Sequence, residues 1–248
     1  MTTAPGPSSF DTEPPGAGAP ARPALYAVLL AVIVFAAIAP TLGWLEFSGG
    51  MENVTIASSI ETASRPDDPK AWLLPTLNGE PRLRKPPLVH WVTAAGIVSG
   101  GPIEWGARWP TLAGSCLLLI AIYALARTIG GDARLALCAA CIAASTFLFF
   151  RYSRQAQYDP WLALFVVSAN ACIARVLFHG RWWSGCLGAG LFLALALLSK
   201  GPVALVQSIV PAAAFVAFLR ATPPGLPLAR PGVSPLTKAA AVLAGLLV

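Results

Sequence analysis

The chain has 248 residues, of which 56% are hydrophobic and 11% charged, with a net charge of +6 and a mean hydropathy of +0.68. That composition excludes a water-soluble fold with a polar surface, so lipid must cover much of the molecule, and no nucleic-acid partner is expected. The five cysteines, Cys116, Cys138, Cys141, Cys172 and Cys186, are odd in number and lie in or beside apolar runs, which argues against a disulfide framework.

Residues 1–22 are mostly Pro, Gly, Ala, Ser and Thr and read as a disordered N-terminal tail, too poor in apolar side chains to offset chain entropy. The test for membrane crossing is the length of charge-free runs against the roughly 20 residues of a spanning helix. Six runs come close: Pro23–Leu45, Trp109–Ala126, Leu135–Phe150, Pro160–Ala174, Trp182–Ser199 and Gly201–Leu219. A seventh begins at Ala239 and reaches Val248 after ten residues, which predicts a truncated seventh span. The domain expected is therefore one transmembrane unit, 23–248. Cys138 and Cys141 spell C-x-x-C within the third run, with no second pair and no nearby His to complete a metal site.

Six crossings assign each loop to one of two sides. With the tail on side one, the long loop 46–108, the segment Arg151–Asp159 and Lys200 share side two, while 127–134, 175–181 and 220–238 return to side one. Eight of the eleven Asp/Glu then fall on side two. Discounting the long loop leaves an excess of Arg and Lys on side one, which predicts a cytoplasmic N-terminus and an extracytoplasmic loop. Trp44, Trp182 and Trp183 suit interfacial anchors.

The loop 46–108 is far longer than an ordinary connection, and such loops are commonly functional or carry structure of their own. Met51–Ala63 interleaves Val54, Ile56, Ala57 and Ile60 with Ser and Thr and ends at Arg65-Pro66-Asp67-Asp68-Pro69, which predicts a short helix near the membrane surface. A turn-rich stretch from Trp72 leads to Arg82, Arg84 and Lys85, followed by Pro86-Pro87, whose fixed φ holds Lys85 rigidly before the apolar segment Leu88–Ile103. That segment, which contains His90, is predicted to lie at the interface. The basic cluster reads either as a patch for anionic headgroups or as a phosphate-binding site.

Asn78-Gly79-Glu80-Pro81, Lys85-Pro86-Pro87-Leu88 with Trp91, Arg108-Trp109-Pro110, Arg154 with Asp159, and Leu198-Ser199-Lys200-Gly201-Pro202 occur in that order. Together they resemble the N-terminal half of the GT-C glycosyltransferases that use polyprenyl-phosphate sugars, the superfamily of protein O-mannosyltransferases and the lipid A aminoarabinose transferase. The resemblance covers about residues 25–220. It implies an all-α polytopic membrane protein, a GT-C-like helix bundle with a long first extracytoplasmic loop containing juxtamembrane helices.

The resemblance also implies an activity. In such enzymes an acid soon after the first span is thought to act as general base on the acceptor hydroxyl. The matching position is Glu52, although many relatives have an Asp-Glu pair where this chain has Met51-Glu52; Glu61 is the alternative. Lys85 would hold the donor phosphate with Arg84 or Arg82, Asp159 would be the second acid, and Lys200 a further phosphate or acceptor contact. Arg154 and His90 are additional candidates. Arg84 stands where some relatives carry an acid that helps bind a metal, so no such metal site and no cofactor is expected.

Inversion at a sugar carbon needs a carboxylate near the acceptor and cations facing the departing phosphate, and Glu52, Lys85, Asp159 and Lys200 share side two. The expected function is an inverting membrane glycosyltransferase, in a bacterial inner membrane, moving a sugar from a polyprenyl-phosphate-linked donor to a lipid, glycan or protein acceptor. Two rival readings are a transporter or lipid-binding membrane protein using the same polar cluster, and a catalytically incomplete fragment; no internal repeat of the transporter kind is found.

Overall fold

The computed structural model describes residues 22–44, 46–47, 49–130 and 132–221. The predicted tail, save Arg22, and the predicted seventh span lie outside the described residues. Among the described residues ten helices run in chain order: α1 Arg22–Ile38, α2 Gly50–Ala63, α3 Pro69–Leu73, α4 Leu88–Val98, α5 Ile103–Gly130, α6 Ala133–Ser145, α7 Phe147–Tyr152, α8 Tyr158–His179, α9 Trp182–Lys200 and α10 Val203–Ala221. A 3-10 turn, Ala39–Thr41, follows α1, and two short strands, β1 Thr76–Leu77 and β2 Glu80–Pro81, form an antiparallel hairpin before α4.

The fold is an all-α polytopic membrane bundle. Among the described residues four segments are long and apolar enough to cross a bilayer: Ala24–Thr41, Ile103–Gly130, Tyr158–His179 and Trp182–Lys200. Large apolar side chains such as Ile33, Ile142 and Val206 face outward, as lipid contact requires. The remaining two of the six runs are shorter as helices, α6 at 13 residues and the apolar Val203–Ala217 part of α10. The third run, Leu135–Phe150, is divided at Thr146, whose extended backbone ends α6 while its hydroxyl accepts the amide of Phe149 at 3.2 Å and caps α7. Charge counting could not register that break, because a Thr that caps a helix and a Thr within one look alike in a charge-free run.

The long loop is folded as well. Glu52 stands in the first turn of α2, where an acid suits the positive end of the helix dipole. Asp68 caps α3 by accepting the amide of Lys70 at 2.9 Å, with Pro69 at the first helical position. Asn78 and Gly79 both have positive φ, 55° and 79°, the pairing that a two-residue hairpin turn requires. Helix α4, at 11 residues, is too short to span and packs between α2 and α5, with Val89, His90 and Ala94 fully buried.

Small residues set the helix spacings. A Cβ on Gly96 of α4 would come within 2.3 Å of the Gly106 carbonyl oxygen and 2.5 Å of Pro110 Cγ on α5. On Gly185 of α9 it would meet Val176 Cγ2 at 2.3 Å. Helix α8 ends on Gly180, whose φ of 63° provides the left-handed cap before α9 turns back. Gly96→Ala should therefore force α4 off α5 at a cost of about 1–3 kcal/mol, lowering the thermal midpoint in detergent by several degrees. Gly43→Ala, where a Cβ meets nothing within 4 Å, should leave the midpoint unchanged.

Candidate active site

The segments that join the helices at one end of the bundle converge on Glu52 and Arg108. Arg108, in the second turn of α5, donates from Nε to Glu52 Oε1 at 2.8 Å and from Nη2 to Oε2 at 3.2 Å, a two-pronged grip on one carboxylate. The same guanidinium donates to the carbonyls of Leu42 at 2.8 Å and Glu46 at 3.1 Å and lies 4.8 Å from the centre of the Phe47 ring. Glu52 Oε1 also accepts the amide of Ala156 at 3.1 Å. The two side chains are 0% and 2% exposed, so an ion pair sealed from water joins α2, α5, the segment after α1 and the segment before α8.

This geometry bears on the expected role of Glu52 as a base. Both its oxygens already accept protein hydrogen bonds and it has no exposed surface. Deprotonating an acceptor from that seat would require the Arg108 grip to open. Glu61 is committed in a different way: it accepts from Thr76 Oγ1 and the Asn78 amide, each at 2.5 Å, and from the Gly79 amide at 3.3 Å, and so clasps the hairpin onto α2. These donors, the Thr76 hydroxyl first, hold its carboxyl below the usual range. Arg154 donates to the Thr41 carbonyl at 3.0 Å and its guanidinium lies 5.0 Å from the centre of the Phe150 ring, a tie between the α7–α8 link and the 3-10 turn.

The second acid is open. Asp159, in the first turn of α8, has a side chain 47% exposed and forms an ion pair with Lys200, in the last turn of α9. It stands on the wall of an otherwise mostly apolar cavity of about 250 Å³ bounded by α5, α6, α7 and α8, with Ser115, Leu118, Phe149 and Tyr152 among its neighbours. One residue earlier, Tyr158 directs its hydroxyl to Nε2 of the buried His90 at 2.8 Å, and Lys85 Nζ lies 5.7 Å from the centre of the Tyr158 ring. Lys85 and Arg82 are half-buried and Arg84 is exposed. Leu88 and Val89 on α4 share a core with Tyr158, Leu162 and Ala196, which seats the Lys85-Pro86-Pro87 corner beside the start of α8 and the end of α9.

Of the residues that sequence reasoning singled out separately, Lys85 and His90 therefore meet at Tyr158, and Lys200 meets Asp159 one position later in the first turn of α8. Tyr158, the side chain between Lys85 and His90, is the residue that reasoning missed. Its one local signal is an aromatic directly before an acid at a helix start. Arg108 was noticed as part of a motif but not as the partner of Glu52, 56 positions away. Among the described residues no group of three or more His, Cys, Asp or Glu is placed to hold a metal ion.

A bundle of membrane helices joined at one end by short surface helices, with acids and cations at that end, is the GT-C architecture. The chain matches the crystal structure of ArnT from Cupriavidus metallidurans in its apo state with a TM-score of 0.59 at 20% identity, over 79% of this chain and 35% of that one. Residues 84–247 fit the family described as dolichyl-phosphate-mannose-protein mannosyltransferase, and the chain belongs to that family. Among its relatives, undecaprenyl phosphate-alpha-4-amino-4-deoxy-L-arabinose arabinosyl transferase 1 of Sodalis glossinidius is 28% identical over 163 residues, covering 61% of this chain and 28% of that protein. Transferase 2 of the same organism is 26% identical over 146 residues, covering 56% and 26%. The matched part thus spans about a quarter of the length of these relatives.

Two outcomes test the geometry. Removing the cation from a sealed ion pair leaves a bare buried charge, so Arg108→Gln should cost about 3–5 kcal/mol, whereas the double variant Glu52→Leu with Arg108→Met should recover much of that stability; thermal unfolding in detergent reads both. Burial, aided by the Arg82 charge, lowers His90 from 6.5 to about 4, so the folded protein holds it neutral while the unfolded chain takes up a proton first. Stability from this group is full above pH 6.5 and is lost as the pH falls from 6.5 to about 4, by up to about 3 kcal/mol. Subtracting the stability–pH curve of His90→Gln from that of the wild type should show this slope in that window.

Proposed function

We propose that this chain carries the catalytic end of a membrane glycosyltransferase that moves a sugar, with inversion, from a polyprenyl-phosphate-linked donor to a lipid, glycan or protein acceptor. The reading is supported by the family, by relatives whose names specify transfer from undecaprenyl phosphate, and above all by one observation. An open carboxylate, Asp159, stands on the wall of a mostly apolar cavity and pairs with Lys200, while Lys85 lies against the ring of the preceding residue, Tyr158.

In this proposal the donor phosphate lies against Lys85, with Arg82 and Arg84 behind it, and its hydrocarbon tail runs along the apolar helices. The acceptor hydroxyl attacks the anomeric carbon from the face opposite the phosphate and gives its proton to a carboxylate. The bond between that carbon and the phosphate oxygen breaks, and the polyprenyl phosphate leaves with the charge that Lys85 and Lys200 oppose. Asp159 is the favoured base because an acceptor can reach it, and Lys200 orients it. Glu52 acts as the anchor of the loop. The excess of Arg and Lys on the far side supports an orientation with this end outside the cytoplasm of a bacterial inner membrane.

The experiment is transfer from a radiolabelled polyprenyl-phosphate sugar in membranes carrying the protein. Asp159→Asn should lose at least about a hundredfold in turnover while keeping its thermal midpoint, and Glu52→Gln should lower the midpoint. Full turnover in Asp159→Asn would overturn the assignment of the base. A well-folded but inactive Glu52→Gln would return that role to Glu52.

A further inference from the structure

The opposite end of the bundle holds a polar cavity. It measures about 430 Å³ and is lined by Arg127 and Thr128 from α5, Arg175 and His179 from α8, and Arg181 at the start of α9. His179 Nε2 donates to the Thr128 carbonyl at 3.2 Å and thereby fixes the end of α8 against α5. From Arg108 to Arg127 along α5 is nineteen residues, about 28 Å at the helical rise, close to one hydrocarbon thickness. The cavity therefore sits at the other membrane surface, remote from Asp159 and Lys200. The acid nearest in sequence, Asp132, caps α6 by accepting the amide of Arg134 and is not part of the lining.

Two ordinary reasons could place arginines here, and neither accounts for the whole set. Cations in the last turn of a helix suit its negative end, which covers Arg127 and His179. Arg181 stands at the opposite kind of terminus, the N-cap of α9, where the dipole disfavours a cation and where its side chain makes no capping hydrogen bond. Topology alone places basic residues near a membrane surface but does not require three from three helices to share one cavity. Trp182 and Trp183 follow directly, and Trp183 is 49% exposed, which sets the cavity at headgroup depth.

We propose that this cavity binds the phosphate of an anionic group at the membrane surface, with Arg175 and Arg181 as its principal donors and Arg127 completing the cup. Guanidinium groups match phosphate oxygens in pairs. The depth of the site makes a phospholipid headgroup the natural carrier of that phosphate, and soluble phosphate shares the same chemistry. The site is independent of the transfer proposed for the other end.

The test is native mass spectrometry of the purified full chain in detergent with phosphatidylglycerol, phosphatidylcholine or inorganic phosphate added. Wild type should retain phosphatidylglycerol several-fold over phosphatidylcholine. Replacing both Arg175 and Arg181 with Gln should weaken that retention roughly tenfold or more, and replacing both with Lys should preserve most of it. Displacement of phosphatidylglycerol by inorganic phosphate, or binding of inorganic phosphate alone, would identify soluble phosphate as a ligand of the same cup; retention unaffected by it would assign the site to lipid. If the Gln pair does not fold, the exposed Arg127→Gln is read in the same way, with a smaller loss. Equal retention of the two lipids without phosphate binding, or undiminished retention in a folded Gln variant, would overturn the proposal.

Discussion

The site end of this bundle depends on one ion pair sealed from water. Arg108 holds Glu52 with two nitrogens and also binds the Leu42 and Glu46 carbonyls, while Glu52 receives the Ala156 amide. Three distant parts of the chain, residues 42–52, Arg108 and Ala156, are fixed at one point. Burying two charges costs several kcal/mol each before their attraction is counted, so such a pair adds little net stability; what it does is penalise every arrangement in which one partner is left alone. A long loop on a membrane surface, short of apolar core, can be given one position in this way.

The fixed loop then positions the chemistry. With α2 anchored, α4 packs between it and α5, and the close approach of Gly96 to Gly106 and Pro110 sets its depth. That places the rigid Lys85-Pro86-Pro87 corner beside Tyr158, whose hydroxyl meets His90. Asp159 follows at the start of α8, facing Lys200 from α9. The two acids stand in different surroundings: Glu52 is enclosed by donors, and Asp159 is at a cavity wall with half its side chain in the open.

Much of this was legible in the sequence, and the limits have physical causes. Charge-free runs located the long apolar helices because hydrocarbon tolerates few charges. The surface helix read over Met51–Ala63 appears as α2, and counting crossings put Asp159 and Lys200 on one side, where they pair. The division of the third run at Thr146 was not legible, since it depends on one backbone angle and one hydroxyl. Nor was the seat of Glu52: a sequence shows an acid near a helix start but not the arginine 56 residues later that encloses it. The setting of Tyr158 likewise depends on His90 arriving from α4 and Lys85 from the segment before it. The Arg127, Arg175 and Arg181 cup was visible only as scattered basic residues until the helix ends were brought together.

Of the two candidate acids, Glu52 is closed off and Asp159 is open. Reacting the native protein with a water-soluble carbodiimide and an amine, then mapping the modified carboxylates by mass spectrometry, tests it directly. Asp159 should be modified readily, and Glu52 should stay protected until the protein is unfolded. Modification of Glu52 in the native state at a rate comparable to Asp159 would show instead that the Arg108 grip opens and that Glu52 is not closed off.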